Sequence, residues 1–396
     1  MKLVAVMAAA LAVSLAAGCS NSSDGNGAGS AGPIKIGVIA TLTGNFTYVG
    51  QNLVHASQGY FDRINASGGI NGRKVELVVK NDGATATAAQ AAMRQLVDGD
   101  KVVALLGPDL TDLCTAAGQY VATVKIPAIC GKGAPESFQP AQQFLFGTAG
   151  WGGSDYAEPM LKLAGSLVSG KPLKIGIVTL DTGGNHAWVK AVEQAATQRG
   201  WTVATQYAPA TSADVSPFAR NAAAAKPDVV LVQLGGPLNP SVVSALRASG
   251  SQAPVINTSN TGQYTTFETM KDPGFYQMSM GPLIVPDAPD NPQVVKDYIA
   301  DMSAQGVTGA AALNDSLLIP YYLGAMTLGQ ALKGCGADCT GTSLAAALQN
   351  VSLDAKGLAS DFRMTPDLHM GPRSYSAYHW DTATNTAKQL TENFAV

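Results

Sequence analysis

The chain has 396 residues, of which 25 are basic and 28 are acidic, so its formal net charge is -3. Charged residues make up only 13% of it, and this mild acidity provides no basic stripe, which argues against a nucleic-acid partner. The length is enough for two compact lobes, each with a sizeable hydrophobic core.

The N-terminal segment follows the pattern of a secretory signal peptide. Lys2 supplies a positive charge, an apolar run extends from Leu3 to Ala17, and small residues lead into Cys19. The run is shorter than the roughly 20 residues of a membrane-spanning helix. Small residues that end in cysteine resemble the lipobox of bacterial lipoproteins, although Ala16 stands where the usual lipobox has Leu, Val or Ile. We therefore predict that residues 1–18 are removed and that Cys19 is lipidated. The alternative is an ordinary signal peptide that is cut nearby.

Residues 19–32 are rich in Ser, Gly and Asn and contain no apolar residue larger than Ala after Cys19. Such a segment cannot bury a core, so the sequence predicts a flexible tether between the lipid and the folded protein. The protein would then be extracytoplasmic and anchored to the cell membrane.

The following part of the chain alternates short β-branched runs with longer amphipathic stretches. The pattern predicts strands over 34–43, 74–79, 102–106 and 126–130, and helices over 53–64, 86–96 and 112–124. Ser67-Gly68-Gly69 ends the first helix, where glycine can supply a left-handed cap. A βαβ series of this kind predicts a parallel sheet.

The pattern restarts at residues 173–178, whose sequence LKIGIV echoes IKIGVI at 34–39. Strands are predicted over 202–206, 229–234 and 254–257, and helices over 188–199 and 241–248. Two similar units predict an α/β fold of two Rossmann-like lobes with a cleft between them. Ligands of such sheets lie beyond the carboxyl ends of the strands, so the relevant loops begin near residues 43, 107, 131, 181, 235 and 259.

Four cysteines remain after Cys19, and an even number in an exported chain suggests two disulfides. Proximity favours the pairs Cys114–Cys130 and Cys335–Cys339 among the three pairings; free thiols are the alternative. A zinc site is disfavoured because no histidine lies near the second pair and its spacing is not CxxC. We predict neither a metal nor a cofactor.

Two motifs resemble those of type I periplasmic binding proteins. Residues 42–50, LTGNFTYVG, resemble the TG-x-x-x-x-x-G segment of that family, and residues 64–73, INASGGINGR, resemble its INAAGGINGR signature. Residues 105–108 and 126–129 fall where the family has its next two strand ends. The resemblance is to the branch named for the leucine/isoleucine/valine-binding protein. It is strong over residues 34–135 and fair in order and spacing to the C-terminus.

The resemblance implies two lobes joined by a hinge in which the chain crosses near 148–154, 281–286 and 367–373. Lobe 1 would comprise 33–153 plus 286–368, and lobe 2 would comprise 154–285 plus 369–396. It also implies a monomer that captures a small-molecule ligand and delivers it to the permease subunits of an ABC importer. A sensor on the same fold is the alternative. The sequence has no HExxH, GxSxG or complete phosphate loop, so we do not predict an enzyme.

Carried over by position, the resemblance implies ligand contacts at the strand-end loops and the first crossing. The candidate residues are Phe46, Tyr48, Thr111, Gly131, Lys132, Gly133, Trp151, His186, Gly236 and Ser259. Thr111 would offer a hydroxyl, and the loop 131–133 would offer backbone amides. Lys132 is either a charge for an anionic ligand or a solvated lysine. Tyr321 and Tyr322 lie on a long helical stretch and are predicted to be core.

Several of these positions depart from the family pattern or have a structural alternative. Val49 stands where relatives have an aromatic residue, and His186 stands where they often have Tyr. His186 could contact the ligand or cap a helix. Trp151 could wall the cleft or pack in the hinge.

The departure at Ser259 bears on the ligand. Relatives have at this position a carboxylate that pairs with the ammonium group of an amino acid. A buried ammonium without a charged partner is costly, so we predict a ligand other than a plain α-amino acid, unless Asp155 or Asp181 substitutes. The candidate ligands are an amino acid or a derivative of one, an aromatic acid, an amide or another small organic solute.

Overall fold

The computed structural model describes residues 32–44, 46–131, 133, 137–148, 156–234, 238–258, 264–336, 339–372, 374–390 and 394–395. Residues Pro33–Val396 form one compact unit. The predicted signal peptide, the lipidation site Cys19 and all of the tether but Gly32 lie outside the described residues. Within the described part, none of the helices combines the length and the apolar character that a membrane crossing requires.

The first α/β unit begins with a strand that is buried along nearly its whole length. Its elements are β1 (Ile34–Ala40), α1 (Thr47–Ala66), β2 (Val75–Asn81), α2 (Ala86–Arg94), β3 (Ala104–Leu106), α3 (Thr111–Val124), β4 (Ala128–Cys130) and β5 (Leu145–Gly147). A π-helical turn, Gln95–Gly99, continues α2. The five strands pair in the order β2-β1-β3-β4-β5, and all pairs are parallel, as the sequence predicts.

The second unit repeats this strand order. Its elements are α4 (Ala157–Leu167), β6 (Lys174–Leu180), α5 (Gly183–Gln198), β7 (Thr202–Ala208), α6 (Ser216–Ala224), β8 (Val229–Gln233), α7 (Asn239–Ala248), β9 (Val255–Asn257), α8 (Tyr264–Met270) and β10 (Phe275–Ser279). The strands β7-β6-β8-β9-β10 are parallel neighbours in that order. The predicted fold class, α/β with two parallel sheets, is confirmed.

The C-terminal third contributes to both units. Its elements are α9 (Gln293–Ala304), α10 (Ala310–Leu313), α11 (Leu318–Cys335), α12 (Gly341–Leu348), β11 (Ser352–Leu353), β12 (Phe362–Arg363), β13 (Ser374–Asp381), β14 (Thr386–Gln389) and β15 (Phe394–Ala395). Strands β13 and β14 extend the second sheet in antiparallel fashion. Tyr321 and Tyr322 on α11 are buried in the first core, as predicted.

Hydrophobic contacts separate the described residues into a first lobe, with one core around β1–β5, and a second lobe, with a core on each face of its sheet. Core membership changes between Phe146 and Tyr156, between Leu283 and Ile284, and between Met370 and Tyr375. The lobe limits and the three hinge crossings themselves stay predictions.

The INASGGINGR motif forms the turn from α1 to β2. Gly69 has a φ of +85°, and a Cβ atom there would lie 2.0 Å from the backbone oxygen of Arg73. The side chain of Asn65 holds the first residue of β2, because it donates to Val75 O at 2.8 Å and accepts from Val75 N at 2.7 Å. This turn lies at the amino end of β2, away from the edge where ligands bind. The INASGGINGR motif therefore shapes the fold at this turn and does not lie at the ligand edge.

A polar network fastens α9 and α11 to α1. Arg63 Nε lies 2.9 Å from Asp301 Oδ2, and Arg63 Nη2 donates to the Tyr322 hydroxyl at 3.0 Å. That hydroxyl donates to Asp301 Oδ2 at 2.6 Å. Burial raises the pKa of Asp301, and the bonds from Tyr322 and Arg63 oppose that rise. Because the Asp301 side chain is only 5% exposed, it depends on these partners.

We expect Arg63→Met to destabilise the protein by roughly 3 kcal/mol at neutral pH, because it leaves the buried Asp301 without its cation. The loss should shrink at acidic pH, where Asp301 becomes protonated. Urea unfolding from pH 4 to 8 measures this. Arg363→Met is the matched control, because Arg363 and Asp361 are 56% and 52% exposed and such pairs contribute below about 1 kcal/mol. Equal losses in the two variants would contradict the assignment.

Candidate functional site

In each unit, the chain adds its second strand on one side of the first strand and its third strand on the other side, so the direction of strand addition reverses there. These points lie between β1 and β3 in the first sheet and between β6 and β8 in the second. In open α/β sheets the ligand crevice opens at such points, beyond the carboxyl ends of the strands. The predicted ligand loops after β1, β3, β4, β6, β8 and β9 all begin at this edge.

The end of β1 is fixed by side chains rather than by the sheet. Thr41 N donates to Asp109 Oδ2 at 2.8 Å, and Leu42 N donates to Asn81 Oδ1 at 2.9 Å. These bonds replace the strand ladder, which explains why β1 ends at Ala40 and not at the predicted residue 43. Thr41 and Asp109 are fully buried. The β1 loop thus starts from a fixed polar base.

Two predicted contact residues are exposed aromatics at the start of α1. Phe46 is 47% exposed and Tyr48 is 56% exposed, whereas most large apolar side chains of the described part are buried. Partial burial, with a contribution from the charge of Asp315, raises the pKa of the Tyr48 hydroxyl. Exposed rings beside a strand-end loop are available to contact a ligand, and their role stays a prediction.

Thr111, Gly131 and Gly133 lie at the same edge of the first lobe. Thr111 is the first residue of α3, whose N-cap Leu110 makes no side-chain cap. A Cβ atom at Gly131 would lie 1.8 Å from the Tyr321 ring, and one at Gly133 would lie 2.4 Å from the Phe138 ring. Both glycines are therefore required by packing. Their predicted contribution of backbone amides to a ligand is untested, and Lys132 lies outside the described residues.

His186 is held by the second lobe's own residues. Its Nε2 atom lies 2.7 Å from Asp181 Oδ1, and its ring stacks on Tyr207 with centroids 4.4 Å apart. Tyr207 belongs to β7, the outer strand at this side of the sheet. This arrangement occupies Asp181, which is 60% exposed. The ligand role of His186 stays a prediction, and Trp151, Gly236 and Ser259 lie outside the described residues.

Buried carboxamides at the carboxyl edge of the second sheet were not predicted. Asn257 Nδ2 donates to Gln277 Oε1 at 2.8 Å, and Gln277 Nε2 donates to the carbonyl of Thr258. Asn239 is fully buried, and neither end of its amide has a partner in the described part of the chain. Gln233 Oε1, at the end of β8, is likewise without a partner there. The sequence feature that could have indicated these residues is a side-chain amide at the end of an apolar strand, as in VVLVQ and VIN.

A small cavity with both polar and apolar lining residues lies where residues of the two lobes meet. Its volume is about 30 Å³, which is room for about one water molecule. Thr148 and Asp315 line it from the first lobe, and Ser279 and Tyr378 line it from the second. A cavity of this size is too small for an organic solute.

Comparison with known proteins places the chain in a family. A family model described as periplasmic binding protein matches residues 33–386. An amino acid binding protein from Pseudomonas aeruginosa is 36% identical over 74 residues, which cover 19% of this chain and 20% of that protein's length.

Solved structures share the fold at low sequence identity. A fatty acid ABC transporter substrate-binding protein from Thermomonospora curvata is 21% identical, with a TM-score of 0.70 and coverage of 92% of this chain and 93% of that one. An ABC transporter substrate-binding protein from Sphaerobacter thermophilus is 19% identical, with a TM-score of 0.73 and coverage of 92% and 98%. A branched-chain amino acid transporter substrate binding protein from Streptococcus pneumoniae, in complex with isoleucine, is 16% identical, with a TM-score of 0.66 and coverage of 92% and 99%. The chain belongs to the periplasmic binding protein family and has its type I fold.

Proposed function

We propose that this protein is the solute receptor of an ABC importer, anchored outside the cytoplasmic membrane through a lipid on Cys19. It captures a small organic molecule between its lobes and presents it to the permease. The observation that carries this proposal is the pair of sheets with the same strand order, whose polar strand ends lie at the ligand edge of a solute-binding fold. Closure of the lobes would occur by bending of the three crossings.

We propose further that the ligand lacks an ammonium group. The described strand ends of the second lobe offer hydroxyls and carboxamides, chiefly Thr179, Gln233 and Asn257. The acid among them, Asp181, is exposed and paired with His186. An amino acid would need a buried carboxylate against its ammonium group. Carboxamides and backbone amides suit a neutral or weakly anionic solute, such as an aromatic acid, a fatty acid or an amide.

Native mass spectrometry of residues 33–396, followed by calorimetry, tests the ligand class. We expect a co-purified solute without an ammonium group and no heat of binding with L-leucine or L-isoleucine. Benzoate, hexanoate and their amides provide the comparison panel. Micromolar binding of leucine would contradict the proposed ligand class and leave the receptor function intact.

A single substitution examines the reason for this selectivity. Ser259→Glu places a carboxylate at the sequence position where relatives carry one, and Ser259→Gln is the uncharged control of the same length. We expect a gain of leucine binding only in the Glu variant, measured by calorimetry. Gain in both variants, or in neither, would show that charge at this position does not decide the ligand.

Transport and sensing are distinguished in cells. Deletion of the gene should abolish uptake of the identified solute if the protein serves an importer. Unchanged uptake together with a lost transcriptional response to the solute would favour the sensor alternative.

A further inference from the structure

Two buried carboxyl groups meet on one hydroxyl at the base of the ligand edge. Thr41 Oγ1 lies 2.7 Å from Asp82 Oδ1 and 2.8 Å from Asp109 Oδ1. All three residues are fully buried. They follow β1, β2 and β3 directly or within three residues, so the cluster joins the ends of three adjacent strands. Neither carboxyl has a salt-bridge partner in the described part of the chain.

Two hydrogen bonds at Thr41 Oγ1 require two hydrogens, one on the hydroxyl and one on a carboxyl group. A threonine hydroxyl has one hydrogen, so it can donate to only one of the two carboxyl groups. If both were ionised, one of the short contacts would bring two sets of oxygen lone pairs together at hydrogen-bond distance. The geometry is satisfied when one carboxyl group is protonated and donates to Thr41 Oγ1, which then donates to the other.

The remaining bonds indicate which carboxyl group carries the proton. Asp82 Oδ1 already accepts from Ala84 N at 2.9 Å as well as lying next to the hydroxyl. Asp109 accepts the Thr41 N–H on Oδ2, and its Oδ1 faces the hydroxyl. The Asp109 carboxyl group also accepts from its own backbone N–H, and its Oδ1 atom lies at hydrogen-bond distance from the Thr41 hydroxyl, where it can hold a hydrogen directed at Thr41. Burial raises the pKa of Asp109 to about 6, and the charge of Asp82 contributes to the rise while the bonds from Thr41 oppose it.

Within the described residues, no cation is among the groups that act on the pKa of Asp109 or of Tyr321 beside it. Tyr321 on α11 donates its hydroxyl to Asp109 O at 3.1 Å, and burial raises the pKa of that hydroxyl well above its usual range, so it stays neutral. Beyond it, Asp315 and Tyr48 also act on Tyr321 and raise its pKa. The described titratable groups that act on the cluster, Asp315, Tyr48 and Tyr321, are therefore acidic or neutral.

We propose that Asp82, Thr41 and Asp109 share one proton, and that this proton makes Asp109 a positioning residue for the loops after β1 and β3. Thr41 begins the segment that leads to Phe46 and Tyr48, and Asp109 is two residues before Thr111. Loss of the proton leaves one donor between two negative carboxylates and pushes these strand ends apart. The inference does not depend on the proposed function, because it concerns the protein without a ligand.

The pH dependence has a definite sign. The folded-state pKa of Asp109, about 6, lies above its ordinary value of 3.8, so the folded protein binds the proton more tightly than the unfolded chain. The stability that the proton contributes is complete below pH 3.8 and is lost as the pH rises through about 6.

Asp109→Asn tests this by imitating the protonated acid. The amide nitrogen can take the place of Oδ1 and donate to Thr41 Oγ1, and the amide oxygen can accept the Thr41 N–H. We expect the unfolding constant of the wild type, divided by that of Asp109→Asn, to rise about fiftyfold between pH 4 and pH 7. Urea unfolding of residues 33–396 at a series of pH values measures this ratio.

Asp82→Asn is the matched control. Asp82 Oδ2 has no partner in the described part, so an amide nitrogen there would be a buried donor without an acceptor, and in the other orientation it would face the Ala84 N–H. We expect this variant to be less stable than wild type at every pH. Thr41→Ser keeps the hydroxyl and should retain the pH dependence of the wild type.

Infrared difference spectra between wild type and Asp109→Asn at pH 5 provide a second readout. A carbonyl band of a protonated carboxylic acid, present only in the wild type, is the expected result. A ratio of unfolding constants that does not change with pH, or the absence of that band, would overturn the proposal.

Discussion

Gly50→Ala is expected to destabilise the protein by more than about 5 kcal/mol, which is an exceptional loss for one methyl group. A Cβ atom on Gly50 would lie 2.2 Å from Thr41 O, 2.6 Å from Thr41 C and 2.7 Å from Thr41 N. These are backbone atoms at the end of β1, so no side-chain rotation can relieve the overlap. Helix α1 would have to move away from β1 and expose part of the first core.

Urea unfolding of wild type and Gly50→Ala measures this loss. Gly184→Ala is the matched control, because Gly184 also lies in a helix and a Cβ atom there meets nothing within 4 Å. That control should be neutral or more stable by up to about 1 kcal/mol, since alanine has the higher helix propensity. Wild-type stability in Gly50→Ala would show that α1 does not approach the end of β1 as closely as described.

This packing explains why the TG-x-x-x-x-x-G motif ends in glycine. Gly50 lets the first helix approach the end of β1, and the same Thr41 that Gly50 touches forms the base of the β1 loop. The glycine of the motif at position 50 therefore sets the position of the loop after β1. The presence of the motif predicts the fold well and the ligand poorly.

Much of the fold could be predicted because the spacing of apolar residues along the sequence indicates which face of a strand or helix is buried. The core strand that begins at Ile34 and the helix α3 were found within a few residues of their ends. Boundaries failed where a side chain takes over from the backbone ladder, as Asp109 does at Thr41. The strand β13 was not predicted, because its antiparallel pairing with β10 joins segments almost a hundred residues apart in the sequence.

The candidate site was less predictable for a related reason. The cluster of Thr41, Asp82 and Asp109 draws one residue from each of three distant segments, and no local spacing marks them as neighbours. The carboxamides of the second lobe share this property. Position within the family pattern predicted Gly131 and Gly133 as ligand contacts, which stays a prediction, and it did not show that neighbouring rings exclude any side chain at these positions.

Both disulfides were predicted correctly from sequence proximity, and they are expected to differ in effect. Replacing Cys114 and Cys130 together with alanine should cost about 3–4 kcal/mol, because the bond closes a loop of 16 residues and both side chains are fully buried. The same replacement at Cys335 and Cys339 should cost roughly 2 kcal/mol, because that loop spans only 4 residues and its cysteines are partly exposed.

The buried disulfide also lies at the edge of the first sheet where the ligand loops are predicted. Cys114 is in the first turn of α3, three residues after Thr111, and Cys130 ends β4 directly before Gly131. A Cβ atom at Gly133 would lie 3.4 Å from Cys114 Sγ, so the sulfur packs against the loop itself. Loss of this bond should therefore increase amide exchange at 107–114 and 128–131, whereas loss of the Cys335–Cys339 bond should leave these segments unchanged. Hydrogen–deuterium exchange of both alanine pairs measures this. Equal exchange at the ligand edge in the two variants would mean that the buried disulfide stabilises the lobe without positioning its loops.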